Sequence, residues 1–132
     1  MVTYVGGVNL VTFRDRTYNC PMEMTIDLIG GKWKALLLWN LSVRTLRFGE
    51  LQRQFPQLTQ KMLTQQLREL VRDGLISRKS YDEMPPRVEY SLTEFGSTIM
   101  PVLQAMNRWG TGFLEGQIVD YAYQNQTDPE SV

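Results

Sequence analysis

Leu58-Thr-Gln-Lys-Met-Leu-Thr-Gln-Gln-Leu-Arg-Glu-Leu-Val-Arg-Asp-Gly-Leu-Ile-Ser-Arg-Lys-Ser-Tyr81, continuing Asp82-Glu-Met-Pro-Pro-Arg-Val-Glu-Tyr-Ser-Leu92, decides the fold. Leu63, Leu67, Leu70 and Val71 recur at i, i+4, i+7 and i+8, so the spacing predicts a helix from Thr59 to Asp73 with one buried face. Its length is about 22 Å at 1.5 Å per residue. Gly74 follows as a C-cap, where glycine takes the left-handed conformation without steric cost. Two strand-like runs come next, Leu75 to Tyr81 and Arg87 to Leu92, around a turn-rich loop from Asp82 to Pro86. A helix followed by a hairpin suits the reading of a duplex.

The outward residues carry that argument. Thr59, Gln60 and Thr64 at the start of the helix are short or planar hydrogen-bonding groups that suit base edges, as does Gln65 one turn on; Lys61, Arg68 and Arg72 lie where phosphates would be reached. Arg78, Lys79 and Arg87 make the hairpin basic. The whole chain is neutral, with 14 lysines and arginines against 14 aspartates and glutamates. From Thr59 to Lys79, however, five basic residues face only Glu69 and Asp73, a local excess that overall neutrality conceals.

Upstream, Phe48, Leu51 and Phe55 predict a short helix from Phe48 to Phe55, ended by Pro56. Only Pro56 to Leu58 separates it from the next helix, which makes the two a helix-turn-helix unit. Leu58 and Leu63 are placed to staple the turn. Lys32 to Val43 reads as a strong helix whose buried stripe is Trp33, Leu36, Leu37, Asn40 and Leu41. Cys20 precedes Pro21, and proline favours the first turn, so Cys20 is expected as N-cap of a helix through Ile29, closed by Gly30 and Gly31. Free N–H groups at that end would favour a thiolate, with help from Arg14 and Arg16 if the arm folds back. A small buried hydrophobe is the other role open to a lone cysteine.

Met1 to Tyr18 has no helical period and is expected to be an arm, with a hairpin at Val5 to Leu10 and a solvated connector at Arg14, Asp15 and Arg16. Such an arm would pack on a partner subunit or fray. Beyond the hairpin, Thr93 is an N-cap for a helical region through Phe113, split by Pro101 near Ser97 to Met100. Phe95, Ile99, Val102, Leu103, Met106, Trp109 and Phe113, with Ile118, Val119, Tyr121 and Tyr123, exceed what one small domain needs, and the excess is expected to form a dimer surface. Gln124 to Val132 is expected to be disordered. The organisation is then an arm at 1–18, a DNA-binding domain at 19–93, dimerisation helices at 94–123 and a tail at 124–132.

A chain of 132 residues, 42% of them hydrophobic, supports one compact core, and no apolar run is long enough to span a bilayer. With no secretory signal and one cysteine, a soluble protein of the reducing cytoplasm is expected, making no membrane contact. The absence of histidine leaves no Cys/His metal set and no Ser-His or Cys-His pair, and no glycine loop cradles a phosphate. An enzyme is not expected, nor a metal or other cofactor.

Several segments together resemble the HxlR-type bacterial regulators, relatives of the MarR-type proteins: Cys20-Pro21, Ile29-Gly-Gly-Lys-Trp33, Arg47-Phe-Gly-Glu-Leu51, Lys61 to Leu70, Asp73-Gly-Leu-Ile76, Tyr90-Ser-Leu-Thr93 with Gly96, and Trp109-Gly110. The resemblance covers roughly Tyr18 to Gly112 and implies a mainly α fold with a small β-hairpin wing, the winged helix-turn-helix. It further implies a homodimeric repressor on double-stranded DNA, with a pseudo-palindromic operator whose half-sites lie about 34 Å apart. In several members a cysteine before the first helix senses electrophiles or oxidants, and Cys20 holds that position. Two alternatives stay open. One is a winged-helix regulator that answers to a small-molecule inducer lodged among Trp33, Trp39, Trp109 and Phe113 instead of a thiol switch. The other is a winged-helix protein-interaction module.

Overall fold

A computed structural model of the chain describes the backbone of residues 2–5 and 8–115, and side chains from Leu10 onward. It comprises two units, 1–98 and 99–132. The expected tail at Gln124 to Val132, and Ile118, Val119, Tyr121 and Tyr123, lie outside the described residues, as do Gly6 and Gly7.

The first unit opens with β1 (Val2–Val5), β2 (Val8–Phe13) and β3 (Arg16–Tyr18) in one antiparallel sheet. Val5 pairs with Val8, as the expected hairpin requires, and Val11 pairs with Tyr18. The expected solvated connector is a turn in which Arg14 and Asp15 are exposed and Arg16 is half-buried. Arg14 takes a left-handed φ of 55°, and Arg16 enters a strand. Next come α1 (Pro21–Ile29), capped by Cys20, and α2 (Lys34–Leu41). Gly31, at φ +74°, makes the turn between them.

On α2 the buried stripe is Lys34, Leu37, Leu38 and Leu41, whereas Leu36 is exposed, so the stripe is rotated from the expected one. Burial of Leu37, Leu38 and Leu41 turns Lys34 inward as well, and its ammonium is accommodated there because Nζ meets Glu69 Oε2 at 2.9 Å. Just before the next helix, Leu46 and Arg47 form the short strand β4 (Leu46–Arg47), and Arg47 is also the N-cap of that helix. The helix-turn-helix is α3 (Phe48–Gln54) and α4 (Gln60–Arg72). The wing is β5 (Ile76–Tyr81) and β6 (Arg87–Leu92), and β4 pairs with β6 to give the strand order β4-β6-β5.

Leucines hold this unit together: Leu37, Leu38, Leu46, Leu51, Leu58, Leu63, Leu67, Leu70 and Leu75 are all essentially inaccessible. Burying each contributes about 1.5–3 kcal/mol of apolar transfer free energy. Val71, at the margin of the helix's apolar face, is partly exposed. The short α5 (Glu94–Ser97) is capped by Thr93, whose Oγ1 accepts the Gly96 N–H.

The second unit contributes α6 (Met100–Glu115), with Pro101 in its first turn, so the split falls where proline predicts it. Val102, Met106, Trp109 and Phe113 follow one another at four- and three-residue steps and are all exposed, and the Trp109 and Phe113 rings stack with centroids 5.7 Å apart. Among the described residues no helix is long and apolar enough to cross a membrane.

Candidate nucleic-acid interface

The first half of α4 is built to present side chains. Thr59 caps it by accepting the Met62 N–H on Oγ1 at 3.1 Å, which satisfies one of the free amides of the first turn. Leu63, Leu67 and Leu70 anchor the inner face. The outer face then shows Thr59, Gln60, Lys61, Thr64, Gln65 and Arg68 as one continuous surface. Thr64 donates its hydroxyl to the Gln60 carbonyl at 2.8 Å, leaving its oxygen free to accept. Gln65 donates weakly to Glu69 Oε1 at 3.2 Å in an exposed bond.

Between α4 and the wing lies a groove of about 520 Å³, in which Gln60, Thr64 and Arg68 face Arg78, Val88 and Tyr90. Strand alternation decides which wing residues reach it. Arg78 stands opposite Tyr90 and shares its side of the sheet, so it joins Arg68. Lys79 and Arg87 belong to the other face, grouped around Tyr81, with Lys79 Nζ 4.9 Å and the Arg87 guanidinium 3.9 Å from the ring centroid. Arg87 also pairs with Glu83 and Glu89 at 3.3 and 3.4 Å. Lys79 is exposed and Arg87 is half-buried. Of the expected wing cations, Arg78 therefore shares the α4 groove, Lys79 offers an exposed ammonium over Tyr81 on the opposite side, and Arg87 is engaged within the wing.

The second half of α4 is built differently. Arg72 Nε turns to Asp73 Oδ1 at 3.3 Å, so Arg72 is not brought together with Arg68. Glu69 is held by Lys34, and the hydrogen bond from that ammonium is the largest cause that lowers its carboxyl below the usual range. Asp73 is fully buried, and its Oδ1 also receives Arg16 Nη2. Arg16 reaches on to Asp27 Oδ2 at 2.7 Å, which in turn accepts the Tyr18 hydroxyl at 2.5 Å. That phenol lowers Asp27, while its own burial, and then this bond, raise Tyr18. Both acids of the helix are thus neutralised from within, and the outer face keeps its positive excess. No spacing in the sequence links Arg14, Arg16, Asp27 or Lys34 to this helix, although two acids late in a basic helix signal a need for internal cations.

Cys20 stands at the N-cap position of α1 and is exposed in the single chain. Arg14 and Arg16, expected as possible aids to the thiolate, are committed to Asp73 and Asp27. Among the described residues no cluster could hold a metal ion.

Residues 28–118 match the model of the HxlR-like helix-turn-helix proteins. The chain belongs to that family. Its relative YdeP of Bacillus subtilis, an HTH-type transcriptional regulator, is 56% identical over 91 residues, covering 69% of this chain and 71% of YdeP. The oxidised form of the redox regulator HypR superposes with a TM-score of 0.67 at 50% identity, over 70% of this chain and 96% of HypR. The reduced transcriptional regulator YodB of B. subtilis gives 0.65 at 36%, over 74% of this chain and 96% of YodB. This member of the HxlR-like family is accordingly a winged-helix transcriptional regulator and not an enzyme. The matched segment begins after the N-terminal sheet and α1's first turns.

Proposed function

We propose that the protein is a homodimeric repressor that sets α4 of each subunit into successive major grooves of a pseudo-palindromic operator, and that Cys20 is the sensor that releases it. The observation that carries DNA reading is the outer face of α4, where Gln60, Lys61, Thr64, Gln65 and Arg68 form one polar, basic surface free of acids. Arg78 extends it across the groove, and Lys79 is left for flanking phosphate. The exposed row Val102, Met106, Trp109 and Phe113 on α6 supports pairing of subunits, since an apolar stripe of that size is stable in water only when covered.

The exposed thiol supports sensing, and so does the company the chain keeps: HypR is a redox regulator known in oxidised and reduced forms, and YodB in reduced and diamide-treated forms. With one cysteine per chain, two chemistries are open. The thiol can add to an electrophile such as a quinone: the S–H bond breaks, an S–C bond forms at a ring carbon, and the thiol's proton ends on a quinone oxygen, giving a hydroquinone thioether. Alternatively, two Cys20 thiols from two subunits join in one disulfide, giving two electrons and two protons to an oxidant such as diamide.

The test is titration of the DNA upstream of the protein's own gene, in reducing buffer and after diamide or benzoquinone, with Cys20→Ser beside wild type. Tight binding that is released by oxidant in wild type alone supports the proposal. Release of neither returns Cys20 to a structural role and directs the search to a small ligand. Binding of neither protein to that or to genomic DNA favours an interaction module.

A further inference from the structure

The sheet that precedes the family match reaches the C-terminal end of the reading helix. There it makes three attachments. Arg16 joins the buried carboxylate of Asp73 to Asp27 on α1. Arg14 Nη2 donates to the Asp73 carbonyl at 3.1 Å, one of the carbonyls that the end of a helix leaves without a partner. Phe13 stacks on Phe95 with centroids 5.8 Å apart, next to Thr93, whose hydroxyl donates to the Gly74 carbonyl at 2.5 Å. Gly74, at φ +77°, has no side chain to obstruct the Arg14 guanidinium, and Arg14 itself holds a left-handed φ that a residue with a Cβ adopts only at a cost.

We propose that Arg16 is a positioning residue for DNA reading: it fixes the C-terminal end of α4 to α1 and so sets the angle at which the first half of the helix meets the base edges. The proposal rests on DNA reading by α4 as given above. An ordinary surface ion pair would not do this, because it forms and breaks at little cost. Asp73 is different. It is fully buried, its Oδ2 has no hydrogen-bond partner, and it stands at the negative end of the helix dipole, so the guanidinium contacts are what offset the cost of placing it there. The leverage is large. A helix of this length spans about 20 Å, so a tilt of about 5° at the clamped end moves the reading end by roughly 1.7 Å. Hydrogen bonds to base edges do not survive such a shift.

The experiment uses the full chain with Arg16→Gln and, as the milder variant, Asp27→Asn, which keeps the Arg16–Asp73 pair and removes its tie to α1. Amide hydrogen exchange without DNA is read at Asp73, Gly74 and Leu75, whose N–H groups close the helix end, with Leu37 and Leu38 as fold controls. Protection should fall about tenfold at the helix end in Arg16→Gln, and less in Asp27→Asn, with the controls unchanged. Affinity for operator and for a scrambled duplex is then measured against salt. Operator binding should weaken about tenfold, with scrambled binding and the salt slope unchanged. Unchanged exchange at the helix end overturns the clamp whether or not DNA is bound. Equal weakening on both duplexes, with the slope reduced by about one, makes Arg16 a phosphate contact and overturns the positioning role. Wild type that binds neither duplex overturns DNA reading itself, a failure the exchange measurement keeps apart from failure of the clamp.

Discussion

The first half of α4 carries Gln60, Lys61, Thr64 and Gln65 on its outer face, joined to the rest of the protein chiefly through the leucines beneath them. The last turn carries Glu69, Arg72 and Asp73, tied by ion pairs to Lys34 on α2 and to Arg16 on β3. One half turns most of its polar groups to solvent, with only weak or local hydrogen bonds at Thr64 and Gln65, and the other turns its charges into ion pairs. The division is physically necessary. A helix that reads sequence must offer free donors and acceptors, and it must also be held in a fixed pose by groups that do not compete for the same partners.

Asp73→Ala should have the largest effect on this contrast. It leaves Arg16 and Arg72 without the buried carboxylate, and the expected loss is about 3 kcal/mol of unfolding free energy, read as a lower urea midpoint. A midpoint equal to wild type would mean that the buried pair stabilises nothing. Thr59→Ala at the open end should cost about 1 kcal/mol, because it removes only the cap on the Met62 N–H. A loss as large as that of Asp73→Ala would erase the distinction between the two ends.

A pH series refines the picture of the clamped half. Lys34 lowers the Glu69 carboxyl in the folded state, so near the ordinary glutamate range the unfolded chain binds the proton more readily. The pair's contribution is therefore complete above that range and is lost as pH falls through the depressed folded value. Lys34→Met should flatten the acid limb of stability between about pH 5 and 3, measured by urea midpoints, and an unaltered limb would reject the assignment. The smallest effect is expected at the wing. Lys79→Ala should leave stability within about 0.5 kcal/mol and weaken all DNA sequences alike, with the salt slope reduced by about one. Weakening confined to one sequence would move Lys79 from phosphate to base contact.

Much of the scaffold is legible in the chain because its signals are local. Leucine spacing and Gly74 place α4, Cys20-Pro21 places α1, and Pro101 places the break before α6. The two-residue strand β4 is not legible, since Leu46–Arg47 is too short to show a period and is a strand only by pairing with Tyr90 and Glu89. The rotated stripe of α2 escapes for another reason: Lys34 is charged, and its burial is revealed only by Glu69, 35 positions away in the chain. The outer face of the candidate site follows from periodicity, but its supporting cations do not. Arg16 and Asp73 are 57 residues apart. What the sequence does carry is the need: an aspartate in the last turn of a helix opposes the helix dipole and implies a cation from elsewhere.

The central claim is that the open half of α4 reads bases while the clamped half only holds the helix in place. Its most direct test is fluorescence anisotropy with Gln65→Ala and Arg72→Ala on the operator and on a scrambled duplex at fixed salt. Gln65→Ala should lose about 1–3 kcal/mol of operator binding and most of its discrimination, while Arg72→Ala should keep the wild-type ratio between the two duplexes. The opposite pattern, with discrimination lost in Arg72→Ala and retained in Gln65→Ala, would contradict the account.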